Sequence, residues 1–155
     1  TGILAGVLPY PHGQVNSVVF SRNAQFVLAA GGRGGQTGKA VLYRVETGEK
    51  VTEVGIENDA LLTADISADQ TQIAVGSSSK MVRVYATADG KVIREIKKHT
   101  DWVTAVEYSP DGVLLATGDR NGGLFVWEAF TGREFFNLRG HTAMITDVSW
   151  RGDSN

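Results

Sequence analysis

The chain has no cysteine. This absence excludes a disulfide framework, a thiolate metal site and a cysteine nucleophile. It fits either redox compartment, so the localisation stays unknown, with the cytoplasm slightly favoured.

The sequence also lacks an excess of charge and a long apolar run. Fifteen Lys and Arg are scattered among seventeen Asp and Glu, which gives a formal net charge of −2. This balance predicts no nucleic-acid partner and no anionic membrane surface. Apolar stretches such as residues 3–8 fall far below the roughly 18 residues that a membrane span needs. The composition, 42% hydrophobic and 21% charged, is typical of a soluble folded protein.

A helical period is missing as well, and a longer period takes its place. Tyr43, Tyr85 and Trp127 lie 42 positions apart, and so do His99 and His141. Each of the three aromatic residues closes a short β-type run. A repeat of 40 to 45 residues that is built from strands indicates propeller blades.

Residues 99–140 show the repeat most clearly. Ser109-Pro110-Asp111-Gly112 predicts a tight turn, because Pro presets φ and both Asp and Gly tolerate the chain reversal. Short apolar runs that predict four antiparallel strands surround this turn and the loops that follow it. The runs cover residues 103–108, 113–117, 124–127 and 133–138.

The same reading divides the whole chain. It predicts an outer strand of a preceding blade in residues 1–11, three blades in 12–56, 57–98 and 99–140, and an inner strand of a following blade in 141–155. The first repeat carries about four extra residues in the glycine-rich loop 31–38. A phosphate-binding loop there is disfavoured, because a strand rather than a helix follows Gly38-Lys39.

These residues resemble the WD-repeat β-propeller family. In residues 99–141 the match runs through Val-Thr-Ala-Val-Glu-Tyr-Ser-Pro-Asp-Gly, Leu-Leu-Ala-Thr-Gly and Leu-Phe-Val-Trp to the closing Gly-His. The resemblance implies an all-β propeller segment of four-stranded antiparallel blades within a larger ring of about seven. We therefore expect a piece of a longer chain, with edge-to-edge self-association of copies as the alternative.

The resemblance also implies a hydrogen-bonded tetrad inside each blade. Carried over position by position, it falls on His99, Thr117, Asn121 and Trp127, with Asn121 where the family has Asp. The other two repeats depart further, and no tetrad is expected there. Their matching positions are Glu57, Val75, Ser79 and Tyr85 in the second repeat and His12, Ala30, Thr37 and Tyr43 in the first.

A partner-binding rim is expected around the central opening. Trp102 directly precedes a first strand, where family members commonly place partner-contacting residues, and it could equally cover the junction between blades. Trp and Arg dominate binding hot spots. The predicted rim consists of Trp102, its repeat equivalents Met144, Gln14 and Ala60, and the loop residues Arg120 and Arg33.

Catalytic, metal and cofactor sites are not predicted. His12, His99 and His141 each precede a first strand of a different repeat, so they are not expected to converge. No carboxylate pair is marked, and the tripeptide 151–153 falls at a repeat turn, which accounts for its Gly and Asp without an adhesion role.

The sequence thus predicts a non-enzymatic scaffold for a protein or peptide partner, with no cofactor. Two alternatives stay open. One is a propeller-based enzyme, a hydrolase, lactonase or quinone-dependent type, with its site at the central channel. The other is an accessory domain of a larger bacterial enzyme.

Overall fold

A computed structural model describes residues 2–153, and these residues form three sheets of four antiparallel strands. Each sheet uses four strands that are consecutive in the chain. The first contains β1 (Gln14–Phe20), β2 (Phe26–Arg33), β3 (Thr37–Arg44) and β4 (Lys50–Glu57). The second contains β5 (Leu61–Ile66), β6 (Gln72–Ser77), β7 (Val82–Ala86) and β8 (Val92–Ile96). The third contains β9 (Val103–Tyr108), β10 (Leu114–Asp119), β11 (Leu124–Glu128) and β12 (Glu134–Asn137).

The turn between the first two strands of each sheet is closed by a serine hydroxyl. In the third sheet, Ser109 Oγ donates to Asp111 Oδ1 at 2.6 Å and accepts from the Leu114 amide at 2.9 Å. Ser67 in the second sheet makes the same pair of bonds with Asp69 and the Gln72 amide. The recurrence shows why the Ser-x-Asp spacing marks this turn, since a short polar side chain can replace a backbone partner there.

The sheets pack face to face in chain order. One core cluster joins the first sheet to the second, with Leu28 and Leu42 on one side and Leu61 and Ile73 on the other. A second cluster joins the second sheet to the third through residues such as Val84 and Trp127. Because they lie inside these layers, β6 and β10 are almost wholly buried, whereas all four residues of β12 are exposed.

The two flanking segments differ from the prediction of strands. Residues 2–10 and 141–150 contain no strand in the structure, and Thr1, Ser154 and Asn155 lie outside the described residues. A strand requires a hydrogen-bonded neighbour, and the sheets of the described chain contain neither segment. The second segment still packs beside the third sheet, where Ile145 donates its amide to Asp119 O at 3.0 Å.

No helix long and apolar enough to cross a membrane occurs between residues 2 and 153.

Candidate functional site at the loop end of the sheets

One end of the three sheets gathers the loops that carry the predicted rim residues. Since the strands are antiparallel, the segments entering β1, β5 and β9 share an end with the loops that leave β2, β6 and β10. We call this surface the rim, formed by residues 10–14, 33–37, 57–60, 78–81, 97–102, 119–123 and 139–144.

Trp102 and Arg120 form a stacked pair on the rim. The Arg120 guanidinium carbon lies 4.3 Å from the centre of the Trp102 ring, within cation–π range. The Arg120 amide donates to Trp102 O at 2.9 Å, and its Nε donates to Asp101 Oδ2 at 3.3 Å. Trp102 nevertheless remains 41% exposed. The indole is therefore held in place by its neighbours and is still accessible to a partner.

The other predicted rim residues lie on the same end at different depths. Met144 is 47% exposed and precedes Ile145, whose amide bonds to Asp119 beside Arg120. Gln14 and Arg33 are exposed on the first sheet, whereas Ala60 is half-buried after Asp59. Thus Trp102 and Met144 flank the same loop, 119–123, while Gln14 and Arg33 belong to a more distant part of the rim.

A buried hydrogen-bonded chain crosses the third sheet below Trp102. Trp127 Nε1 donates to Thr117 Oγ1 at 2.8 Å, Thr117 Oγ1 lies 2.8 Å from His99 Nε2, and His99 Nδ1 lies 2.9 Å from Asp119 Oδ2. Every group is satisfied if Thr117 donates to Nε2 and Nδ1–H donates to the carboxylate. Burial lowers the pKa of His99, although Asp119 opposes this shift, so the imidazole is neutral at neutral pH.

The fourth member of this chain is Asp119, and the prediction of Asn121 is wrong. The Asn121 side chain points elsewhere, with Nδ2 donating to Thr100 Oγ1 at 3.3 Å. Asp119 Oδ1 accepts from the amides of Asn121 and Gly123 at 2.9 and 2.8 Å. The loop folds around the carboxyl group, so an aspartate and not an asparagine ends the hydrogen-bonded chain. The sequence signal that could have indicated it is the acidic residue that follows the apolar run 113–117, two positions before Asn121.

The second sheet uses a different polar cluster in the corresponding place. Glu57 is buried and pairs with Arg83 at 2.6 Å, and Arg83 also reaches Glu95 at 2.9 Å. The Tyr85 hydroxyl lies 3.5 Å from both oxygens of Glu57. In the first sheet, the Tyr43 hydroxyl donates to Pro9 O, and His12 Nε2 lies 3.2 Å from Glu53 Oε2. Neither sheet has the His–Thr–Trp chain, in agreement with the sequence.

A cavity of about 370 Å³ lies between the first strands of the sheets, opposite the outer edges. Asp65, Glu107 and Asp147 line it, and sequence reasoning missed this convergence although Asp65 and Glu107 are 42 positions apart. Asp65 Oδ2 accepts from the Tyr108 amide at 2.7 Å, and Glu107 Oε2 accepts from the Trp150 amide at 3.1 Å. Both carboxylates therefore bind the backbone of the next sheet or segment.

Burial raises the pKa of the Asp65 carboxyl to about 6, with partial opposition from its hydrogen bonds to Tyr108 and Ile66 and from Arg22. Burial and then the charge of Asp65 also raise the pKa of Glu107. Both shifts follow from desolvation in a shared cavity.

The remaining motifs have local partners. Asp59 fills the space beside the glycine-rich loop, since its Oδ1 accepts from the Gly35 amide at 2.9 Å. Arg151 pairs with Asp153 at 3.1 Å within the tripeptide. Over the described part of the chain, no group of three or more His, Cys, Asp or Glu side chains could hold a metal ion.

The fold and the hydrogen-bonded chain define a repeat protein of the propeller class. Residues 90–128 match the family model described as WD domain, G-beta repeat. This stretch resembles that family, and the three sheets have the fold of propeller blades. A search of curated protein sequences finds no match.

Two solved structures show the same fold. The crystal structure of the RRP9 WD40 repeats superposes with a TM-score of 0.81 and 17% identity, covering 92% of this chain and 43% of that one. The structure of U3-55K superposes with a TM-score of 0.80 and 17% identity, covering 92% and 44%. The chain thus spans less than half the length of either protein.

Proposed function

We propose that this chain is a non-enzymatic scaffold whose rim binds a protein or peptide partner, centred on Trp102. One observation carries the proposal. A large aromatic side chain is 41% exposed on the rim, and Arg120 stacks on it at 4.3 Å. A fixed, exposed indole gives a partner apolar contact area at little cost in conformational entropy, which is how Trp acts in binding hot spots.

The packed core supports a role in which the rim is held in a fixed shape for a partner. Burial of the strands between sheets and the satisfied His99–Asp119 pair hold the third sheet rigid directly beneath Trp102. Met144, Gln14, Ala60, Arg120 and Arg33 would surround the partner, with Trp102 and Arg120 as its anchor.

The alternative of an enzyme at the central channel needs carboxylates that are free to act on a substrate. Three carboxylates do line the cavity, but Asp65 and Glu107 both accept backbone hydrogen bonds that join neighbouring sheets and segments. These hydrogen bonds give both carboxylates a structural role, and the described residues that line the cavity include no histidine to act beside them. The arrangement therefore favours the scaffold.

The test compares two aromatic truncations. Peptides are selected from a random displayed library on the wild-type protein, and their affinities are measured by fluorescence anisotropy for Trp102→Ala and for Phe130→Ala. Phe130 is 63% exposed in the turn after β11, at the opposite end of the sheets, and serves as the matched control.

We expect Trp102→Ala to weaken binding about thirtyfold, the size of a hot-spot loss of about 2 kcal/mol. The free energy of unfolding should fall by less than about 1 kcal/mol, because an exposed cation–π pair contributes little. Equal binding by both variants would refute the rim site. A large loss of stability in Trp102→Ala would assign Trp102 to packing between blades.

A further inference from the structure

The rim loops form one connected band across the three blades. Asp59, in the segment before β5, accepts from the Gly35 amide of the first blade and from the Ser78 hydroxyl of the second. Asp101 bonds to Arg120 in the third blade. Loop 119–123 of the third blade in turn contacts the segment after it, because the carbonyl oxygens of His141 and Ala143 lie against Gly122. A bound segment could therefore cross several blades without leaving the rim.

The end of each second strand, or the loop directly after it, contributes one cation to this band: Arg33, Lys80 and Arg120. All three are exposed. Within residues 2–153, Arg33 and Lys80 form no salt bridge, and the ion pair of Arg120 with Asp101 uses only Nε. The band therefore offers three positive groups with unused hydrogen-bonding capacity, and one of them stacks on Trp102.

The carboxylates of the band are occupied by protein donors. Asp59 accepts from two amides and one hydroxyl, and these hydrogen bonds lower its pKa. The Trp102 amide and then Arg120 lower the pKa of Asp101, with a further contribution from Lys80. Asp119 is buried against His99. The carboxylates are therefore held by neighbouring donors, while the cations Arg33, Lys80 and Arg120 face solvent.

The turns at the opposite end of the sheets carry charges of both signs, since Lys91 and Arg133 lie among acids such as Asp89 and Asp111. Lys91 pairs with Asp89 at 3.0 Å, and Arg133 pairs with Glu128. These two cations are already bound to acids, whereas Arg33 and Lys80 form no salt bridge within residues 2–153. Opposite charge on a partner gives orientation and specificity at an interface.

We propose that the rim recognises an acidic peptide segment in which carboxylates flank an apolar side chain. The apolar side chain packs on Trp102, and the carboxylates pair with Arg120, Lys80 and Arg33. This inference rests on the proposed scaffold function and adds the chemistry of the partner. An acidic peptide fits better than RNA, because Lys97 and Lys98 of the rim are already paired with Glu95 and Glu134, which leaves few cations for the many phosphate contacts of a nucleic-acid site.

The experiment uses three fluorescein-labelled probes. The first is a dodecapeptide with a central leucine flanked by glutamates, the second has lysines in place of the glutamates, and the third is an oligouridylate of equal length. Anisotropy titrations are run on the wild-type protein, on Lys80→Glu/Arg120→Glu, and on Lys91→Glu. Lys91 lies in the turn before β8 at the opposite end and has 81% side-chain exposure, which makes it the control for a charge reversal outside the rim.

We expect the acidic peptide to bind at least about tenfold more tightly than the lysine peptide. The lysine peptide loses about two exposed ion pairs with the rim cations and is repelled by them instead. The double reversal should remove this preference, and Lys91→Glu should keep it. If the double reversal does not fold by circular dichroism, Lys80→Gln/Arg120→Gln replaces it. A higher salt concentration should weaken the binding of the acidic peptide to the wild-type protein.

Three results would overturn the inference. Equal binding of the acidic and lysine peptides refutes acidic recognition, and the scaffold function survives if library-selected peptides still require Trp102. Binding of the oligouridylate without the acidic peptide assigns the cations to nucleic acid. Failure of both the acidic probe and the selected peptides to bind the rim refutes the inference and the proposed function together.

Discussion

At the residue scale, the family pattern located three of the four members of the buried chain and misplaced the fourth. His99, Thr117 and Trp127 lie on strands or directly before one, where a fixed repeat determines their position. Asp119 lies at the end of β10, where the path of the loop decides which side chain turns inward. Two backbone amides of this loop, those of Asn121 and Gly123, donate to the Asp119 carboxyl group. Loop conformation of this kind is not encoded in strand periodicity.

The Asp119 assignment predicts unequal effects of two alanine substitutions. Asp119→Ala should lower the free energy of unfolding by about 2–3 kcal/mol, because it leaves the buried Nδ1 of His99 without its hydrogen-bond partner. Asn121→Ala should change it by less than about 0.5 kcal/mol, since its side chain makes one long exposed bond. Urea denaturation of both variants measures the difference. A larger effect at Asn121 would restore the original prediction.

At the element scale, the strands and turns were predictable because tight turns and apolar runs recur at a fixed spacing. The close contact between neighbouring sheets could not be predicted from the sequence. Gly76 on β6 faces the next sheet, and a Cβ there would lie 2.6 Å from Val103 Cγ1. Gly118 repeats the arrangement 42 positions later, with Ile145 as the neighbour. The sequence shows these glycines in apolar strands but not which surface approaches them.

Gly76→Ala should therefore destabilise the junction between the second and third blades. Overpacking of a buried contact costs about 1–3 kcal/mol, and relief would require Val103 or Thr63 to move. Gly6→Ala is the matched control, because a Cβ at Gly6 has no atom within 4 Å. Thermal unfolding by calorimetry compares the two. Equal melting temperatures would show that the sheets separate easily at this point.

The flanking segments show the limit of reading elements from apolar pattern alone. Residues 3–8 have the composition of a strand, and Ile3, Leu4 and Val7 are each about four-fifths exposed in the structure. A strand forms only where a neighbour supplies hydrogen bonds, so composition predicts the capacity to pair and not the pairing itself.

At the scale of the whole molecule, the repeat explains both the fold and the position of the rim. Three similar sheets stacked in chain order place equivalent loops side by side, so small differences among the loops create a distinct surface. The aromatic residue Trp102, the cations Arg33, Lys80 and Arg120, and the apolar Met144 are such differences. The sequence analysis included all of these residues except Lys80 in the predicted rim, whereas the position of Lys80 and the stacking of Arg120 on Trp102 required the structure.

The central claim is that a partner binds at the rim, and the indole signals of the protein test it most directly. The chain has three Trp residues, so a ¹H–¹⁵N correlation spectrum contains three indole cross-peaks. Titration with a library-selected peptide should shift the Trp102 peak and leave that of Trp127, which is buried beneath it, nearly unmoved. A bound peptide that leaves the Trp102 peak in place and shifts amides of the turns at the opposite end would contradict the account.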